Sequence, residues 1–236
     1  MRGFIFYKGT SPIDGNPIIG VATLKSRNAG TGNMVQTFIL REDVHPLEAI
    51  AVRADVSICG DCTHRGLAGA KRTCYVDVAK SVAQVWLAYR RGSYADLSGD
   101  LPRAAALLRR RRVRLGAYGD PAMVDPFVWY ALLADCDGWT GYTHQWRFPW
   151  AAAMRELCMA SVESIRDADV ARALGWRTFR VNGDGVASSR EMICPKSDEG
   201  GARLQCVDCG ACDGALKPSA ASVTIKIHGV MAKHFY

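Results

Sequence analysis

The sequence predicts an α/β protein: a partial (β/α) barrel, or a parallel sheet with crossover helices, with a β-meander in front and a cysteine-rich cluster segment behind. Three observations point there. Strand-like and helix-like stretches alternate at least four times over residues 56–181, three strand-like stretches fill the first 43 residues, and four cysteines crowd residues 194–212. The corresponding division is a β-rich subdomain at 1–43, a βα core at 44–193 and a cysteine-rich segment with a final strand at 194–236.

The opening strands are "FIFYKG", "PIIGVATLKS" and "MVQTFILRE", separated by the turn formers "DGNP" and "NAGTGN". "HPLEAIAVRA" reads as a helix with Pro46 in its first turn. "DVSI" reads as the first strand of the alternating region. "SVAQVWLAYRR" follows as an amphipathic helix, with Val82, Val85, Trp86 and Tyr89 at helical spacing. The helix "PRAAALLRR" precedes the strand "RVRLGAY", and "DPFVWYALLADC" opens on an Asp125 N-cap with Pro126 at the first helical position. A strand "WTGYTH", a helix "AAAMREL", a strand "CMASVES" and a helix "RDADVARALGW" ended by Gly175 come next, followed by the strands "RTFRVN", "SREMIC" and "SVTIKIHG".

The 236 residues are 49% hydrophobic and 22% charged, ordinary for a chain that buries a full core. No apolar run approaches the roughly 20 residues that span a bilayer, and "MRGFIFYKGTSP" lacks the apolar stretch and cleavage site of a secretory signal, so the expected compartment is the cytoplasm. Nine cysteines in a reducing compartment argue for metal or redox use rather than disulfides. The net charge of +7 is matched by residues 80–114 alone, where nine Lys and Arg face Asp96 and Asp100. That block suits phosphate contacts of a nucleotide or nucleic acid; it also suits a solvated helix end favoured by the helix dipole.

Ligands of parallel α/β folds gather at the carboxyl ends of the strands. On the strands above, Cys59 and Cys62 follow the first, Gly119-Asp120-Pro121 the second and Thr143-His144-Gln145 the third; Ser161 and Glu163 fall in the fourth, and Cys194 follows a later one. Cys194, Cys206, Cys209 and Cys212 are spaced C-x11-C-x2-C-x2-C, a four-thiolate metal signal. Three cysteines in one run and a remote fourth before Pro195 fit a cubane [4Fe–4S] cluster better than the paired knuckles of a zinc ribbon, with zinc the alternative. Cys59, Cys62 and Cys74 are spaced C-x2-C-x11-C. They form either a closed zinc site completed by His64 or an iron–sulfur cluster with one iron open to an outside ligand. Cys136 and Cys158 read as core residues.

Asp120 reads as a ligand to an ammonium group or metal, or as a turn former; His144 as an acid/base or a satisfied rim residue; Arg180 as an anion contact or half of a buried ion pair. Trp139, Tyr142, Trp146, Phe148 and Trp150 suit either base stacking or packing. The chain has no phosphate loop, nucleophile elbow or H-E-x2-H motif, which removes NTPase, serine hydrolase and zincin readings.

The cysteine loop, the turn in "GAYGDPAMV", the βα units and the C-terminal four-cysteine set are together similar to radical S-adenosylmethionine enzymes, with C-x2-C-x11-C in place of that family's C-x3-C-x2-C. More closely, the chain resembles the cysteine-rich gene-product-88-like proteins of bacteriophages over residues 55 to about 214. The matching pieces are Cys59, Cys62 and Cys74-Tyr75, then Arg114 through Gly119-Asp120, Trp129, Tyr142-Thr143-His144, and Cys194 through Cys212. The resemblances imply a phage or prophage origin, hence the host cytoplasm. They imply one or two [4Fe–4S] clusters on Cys59, Cys62 and Cys74 and on Cys194, Cys206, Cys209 and Cys212. They further imply S-adenosylmethionine or substrate contacts at Gly119 and Asp120 and a catalytic pocket lined by Asp120, Tyr142 and His144, to which the strand placement adds Ser161 and Arg180 as cofactor-binding candidates. The expected function is a radical-S-adenosylmethionine-like iron–sulfur enzyme acting on a nucleotide or nucleic-acid-related substrate. The alternative is a non-enzymatic, metal-stapled nucleic-acid-binding protein of phage replication or regulation.

Overall fold

The computed structural model describes residues 1–26, 28–66, 69–202, 204–216, 220–229 and 231–235. It is a mixed α/β structure with two sheets, and the chain divides into two compact units. No described helix is long and apolar enough to cross a membrane.

The first unit takes Met1–Arg27, Asn33–Asp61 and Val76–Trp139. Its meander is β1 (Gly3–Thr10), β2 (Pro17–Thr23) and β3 (Val35–Arg41), antiparallel in sequence order, with Thr10 opposite Pro17 and Ile18 opposite Arg41. The first hairpin closes where the Asp14 carboxylate accepts from Asn16 N (3.2 Å) and Gly15 takes a φ of 72°. The meander is not a sheet of its own. β4 (Ala95–Asp96) joins β1, and β5 (Arg112–Tyr118) runs parallel to β3 with β6 (Gly138–Thr140) beyond it, giving the order β4-β1-β2-β3-β5-β6. All seven residues of β3 are buried, as a central strand covered on both faces requires. The β3–β5 register shifts between Gln36 and Phe38, and the Thr37 hydroxyl bridges the irregularity, donating to Arg114 O and accepting from Gly116 N, both at 3.0 Å.

Helices α1 (Pro46–Ala51), α2 (Val56–Cys59), α3 (Ala83–Arg90), α4 (Leu101–Ala106) and α5 (Pro126–Leu133) complete the first unit. Asp125 caps α5 as its sequence predicts, accepting from Phe127 N at 2.8 Å. Trp129 is fully buried against Phe6, its Nε1 donating to Pro121 O (2.9 Å). The expected strand at "DVSI" is instead α2. Four apolar-rich residues carry too little period to separate strand from helix, and here the Asp55 carbonyl accepts from Cys59 N (2.9 Å) while the Ser57 hydroxyl is held between Arg41 and Asp14. Cys59 therefore ends a helical turn, not a strand, before Gly60 at φ 52°.

The second unit takes Asn28–Gly32, Cys62–Tyr75 and Thr140–Tyr236. Its sheet is wholly parallel, ordered β10-β11-β9-β8-β7 from β7 (Tyr142–Thr143), β8 (Met159–Val162), β9 (Thr178–Asn182), β10 (Glu191–Ile193) and β11 (Ser222–Lys226). The expected single strand "WTGYTH" is two, β6 and β7, parted by Gly141, whose lack of a side chain weakens a strand interior. The expected α-helix at "AAAMREL" is a 3-10 helix over Pro149–Glu156. Its buried residues Ala151 and Met154, with the buried Leu157 that follows it, recur every three positions, the period of a 3-10 helix and not of an α-helix. The β8–β9 crossover is α6 (Ile165–Ala173), capped by the Ser164 hydroxyl accepting from Asp167 N (3.0 Å) and followed by Gly175 at φ 84°. Between β10 and β11 lies the cysteine-rich segment with the single turn α7 (Cys206–Cys209).

Candidate metal centre

Adjacent parallel strands bring the residues that follow them together. Tyr142 pairs with Met159 and Thr143 with Ala160, so β7 and β8 end side by side, and His144 and Glu163 are the first residues beyond them. This is the carboxyl edge where parallel sheets bind ligands. His144 Nε2 lies 3.7 Å from Glu163 Oε1. The third member, His64, arrives from a loop on a 3-10 turn over Thr63–Arg65, and its Nε2 lies 3.5 Å from the same Oε1.

The loop is built to aim His64. The His64 carbonyl accepts from both Thr73 N and Cys74 N (3.1 Å each), and Nδ1 is bonded to the Thr73 hydroxyl at 2.8 Å. With Nδ1 engaged, Nε2 is the nitrogen presented to Glu163, the arrangement by which an outer partner fixes the tautomer and orientation of a ligating histidine. Gly66 makes the tight return possible. It sits at φ 82°, and a Cβ there would stand 2.6 Å from Ala70 O.

Ligand atoms of His64, His144 and Glu163 all lie within 4.8 Å of one another. Cys62 Sγ approaches His144 Nε2 at 3.6 Å. Nitrogen-to-oxygen separations of 3.5 and 3.7 Å exceed the hydrogen-bond range. They resemble the edges of a coordination polyhedron: bonds of about 2.0–2.2 Å in a tetrahedron leave about 3.3 Å between nitrogen and oxygen ligands. Glu163 Oε1 is buried with no hydrogen-bond partner, an uncompensated acceptor facing two imidazoles.

The electrostatics suit a cation. Burial, aided by the charge of Arg72, lowers the His64 pKa to about 4. Burial, with His64 and Arg147, lowers that of His144 to about 3. Both rings are therefore neutral at pH 7, and the close contacts are not ion pairs. Burial, with Asp167, pushes Glu163 up to about 7 against the opposing Thr63 hydrogen bond and Arg147 charge. Two neutral imidazoles and a carboxylate short of positive charge form a donor set that zinc and similar divalent metals accept.

The remaining sequence candidates take varied places. Asp120, with Gly119, belongs to the first unit, where its carboxylate accepts from Ala122 N (3.0 Å) and its own N–H donates to Ile58 O (2.7 Å), a capping geometry. Tyr142 packs on Phe179 with ring centroids 4.2 Å apart. Ser161 is buried, its carbonyl accepting from Trp146 Nε1 (3.0 Å). Arg180 is bound bidentately by Glu191 (2.9 and 2.7 Å) and donates to Val186 O (2.8 Å), so its charge is satisfied inside the unit. Cys59 lies in the first unit, Cys62 and Cys74 in the second.

The C-terminal cysteines all lie in the second unit. Cys194 and Cys212 share packing around Met159 and Val223, while Cys206 and Cys209 stand at the two ends of α7. Arg177 clasps the segment, donating to the Asp213 carboxylate and to the carbonyls of Ala211, Gly214 and Ala221 at 2.8–2.9 Å. The nine cations of 80–114 lie in the first unit; Arg114 is buried in β5, and Arg111 donates to Leu24 O.

Sequence reasoning placed His144 and Glu163 at strand ends but linked His64 only to the cysteines. The pairing of β7 with β8 joins His144 to Glu163, and the hydrogen bonds of the 63–74 loop bring His64 to them; both depend on tertiary structure and not on motif. The fold and the site define an α/β protein with a histidine–carboxylate group at the carboxyl edge of a parallel sheet. No protein-family model, curated protein or solved structure matches the chain.

Proposed function

We propose that the chain is a metal-dependent enzyme whose centre holds one divalent ion of the zinc class on His64, His144 and Glu163, with Cys62 at its edge. The observation that carries this reading is the buried, unbonded Glu163 Oε1 facing both imidazole Nε2 atoms. Three protein ligands leave a metal position open, the mark of a catalytic rather than a structural site. A metal there supplies Lewis-acid chemistry and a water of lowered pKa, the equipment of hydrolysis. The chain's own residues do the rest: Thr73 orients His64, and Thr63 holds the Glu163 carboxylate.

The test is metal content after reconstitution with Zn(II), Mn(II) or Fe(II) in separate samples. His64→Ala and His144→Ala are each expected to lose one equivalent relative to wild type while any metal held by the cysteines stays. Unchanged content in both variants would overturn the centre.

A second reading concerns the C-terminal cysteines, as an iron–sulfur cluster or zinc staple on Cys194, Cys206, Cys209 and Cys212. What favours it is the shared packing of Cys194 with Cys212 and the clasp of Arg177 on the segment. Anaerobic purification should then yield brown protein with iron and sulfide, or colourless protein with an extra zinc, and Cys206→Ser should remove that metal without touching the histidine-bound ion.

A further inference from the structure

The chain that leaves His144 makes one 3-10 turn, Gln145–Arg147, closed by Phe148 N donating to Gln145 O (2.9 Å). At a rise of about 2 Å per residue, the Phe148 backbone stands about 8 Å along from that of the candidate ligand. The rings of Phe148 and Trp150 stack there, centroids 5.9 Å apart and planes 18° from parallel. The core of this stretch is already supplied. Trp146, Ala151 and Met154 are buried, whereas Phe148 and Trp150 remain 36% and 42% exposed. Two stacked rings left out of the core, four and six residues past a candidate ligand, make a flat apolar platform, the shape that accepts another ring.

The loop that carries His64 is basic. Arg147, between His144 and Phe148 in the chain, has its guanidinium 3.9 Å over the Trp146 ring, and its charge is paired with Asp167 (2.6 Å). On the other side of His64, residues 63–75 carry Arg65, Lys71 and Arg72 and no acid. A bound metal ion adds to this field. An anionic group at the centre joined through a short spacer to a planar ring on the platform is the chemistry of a nucleoside phosphate.

We infer that the ligand of this centre is a nucleoside phosphate, with its phosphate at the His64–His144–Glu163 group and its base on the Phe148–Trp150 pair. This rests on the metal-centre reading above. The source is a free nucleotide or a residue of a single strand, which share this chemistry.

The experiment is calorimetric titration of zinc-reconstituted protein with 5′-AMP, ribose 5-phosphate, inorganic phosphate and a short single-stranded oligonucleotide. AMP should bind more tightly than ribose 5-phosphate. Phe148→Ala and Trp150→Ala should each weaken AMP about 5- to 150-fold, the size of one base–aromatic stack, and leave phosphate affinity and metal content unchanged. An oligonucleotide that binds more tightly than AMP points to a strand as the source, and the reverse to a free nucleotide. Equal affinity for AMP and ribose 5-phosphate, or variants that bind AMP as wild type does, would overturn the inference while leaving the metal reading intact. Wild type that takes up no metal at the histidines yet keeps a base-dependent preference would overturn the metal reading and the phosphate placement, and retain only the platform.

Discussion

Glu163 illustrates why single residues of the site carry information that composition does not. A carboxylate oxygen buried without a donor is unfavourable by about 1–3 kcal/mol or more, a cost that a proton or, under the proposed reading, a metal ion would offset. Thr73 tests the same logic from outside. Removing its hydroxyl with Thr73→Val frees His64 Nδ1, and metal affinity should fall about 10- to 100-fold, whereas Thr73→Ser should restore it. Competition with a metallochromic chelator measures the difference, and a Thr73→Val affinity equal to wild type would remove Thr73 from the design.

At the scale of elements, helix and strand identity was legible wherever a segment carried period and punctuation. Pro46, Asp125 and Gly175 mark helix ends in the sequence and do so in the structure. Two segments were not legible. The four residues of α2 are too few to show a period, and the spacing of three among Ala151, Met154 and Leu157 is easily read as one half of an α-helical pattern. The site followed the same rule: the strand ends carrying His144 and Glu163 were legible, but His64 lies 80 positions before His144 and only tertiary structure joins them. The 3-10 helix is a packing element despite its strained winding. Met154→Ala, at a fully buried position, should destabilise by about 2–5 kcal/mol in urea denaturation.

The Arg180–Glu191 pair ties β9 to β10 across the intervening loop. Burial alone would raise the Glu191 pKa, but the hydrogen bonds and charge of Arg180, with the hydrogen bonds of Ser188, outweigh it and hold the carboxyl below its ordinary value. A depressed folded pKa means the pair's contribution is complete above the unfolded value and is lost as pH falls through the folded one. Arg180→Met leaves the buried Glu191 carboxylate with the Ser188 N–H but without its counter-charge, so it should cost about 3–5 kcal/mol at pH 7 and less at pH 3, where Glu191 can protonate. An equal loss at both pH values would show that packing, not charge, is what Arg180 contributes.

Across the whole molecule, the candidate ligands all fall in the second unit, so metal should stabilise that unit directly. Saturation at about 100 times the dissociation constant adds about 2.7 kcal/mol. Hydrogen exchange should accordingly show zinc-dependent protection in residues 63–75 and 142–163 and little change in β1 to β3. Uniform protection throughout would mean that the ion acts elsewhere or that the chain opens as one.

The order β10-β11-β9 has a consequence for how this chain comes into being. β11 is made after every other described strand of its sheet, yet it sits between β10 and β9, with Val223 beside Phe179 and Ser222 beside Glu191. Until it emerges from the ribosome, β9 and β10 cannot pair with each other in their final places, and each offers an open edge to neighbouring nascent chains. The second sheet is thus completed only after translation has passed Lys226, and premature termination in the cysteine-rich segment would yield an aggregation-prone product rather than a smaller folded one.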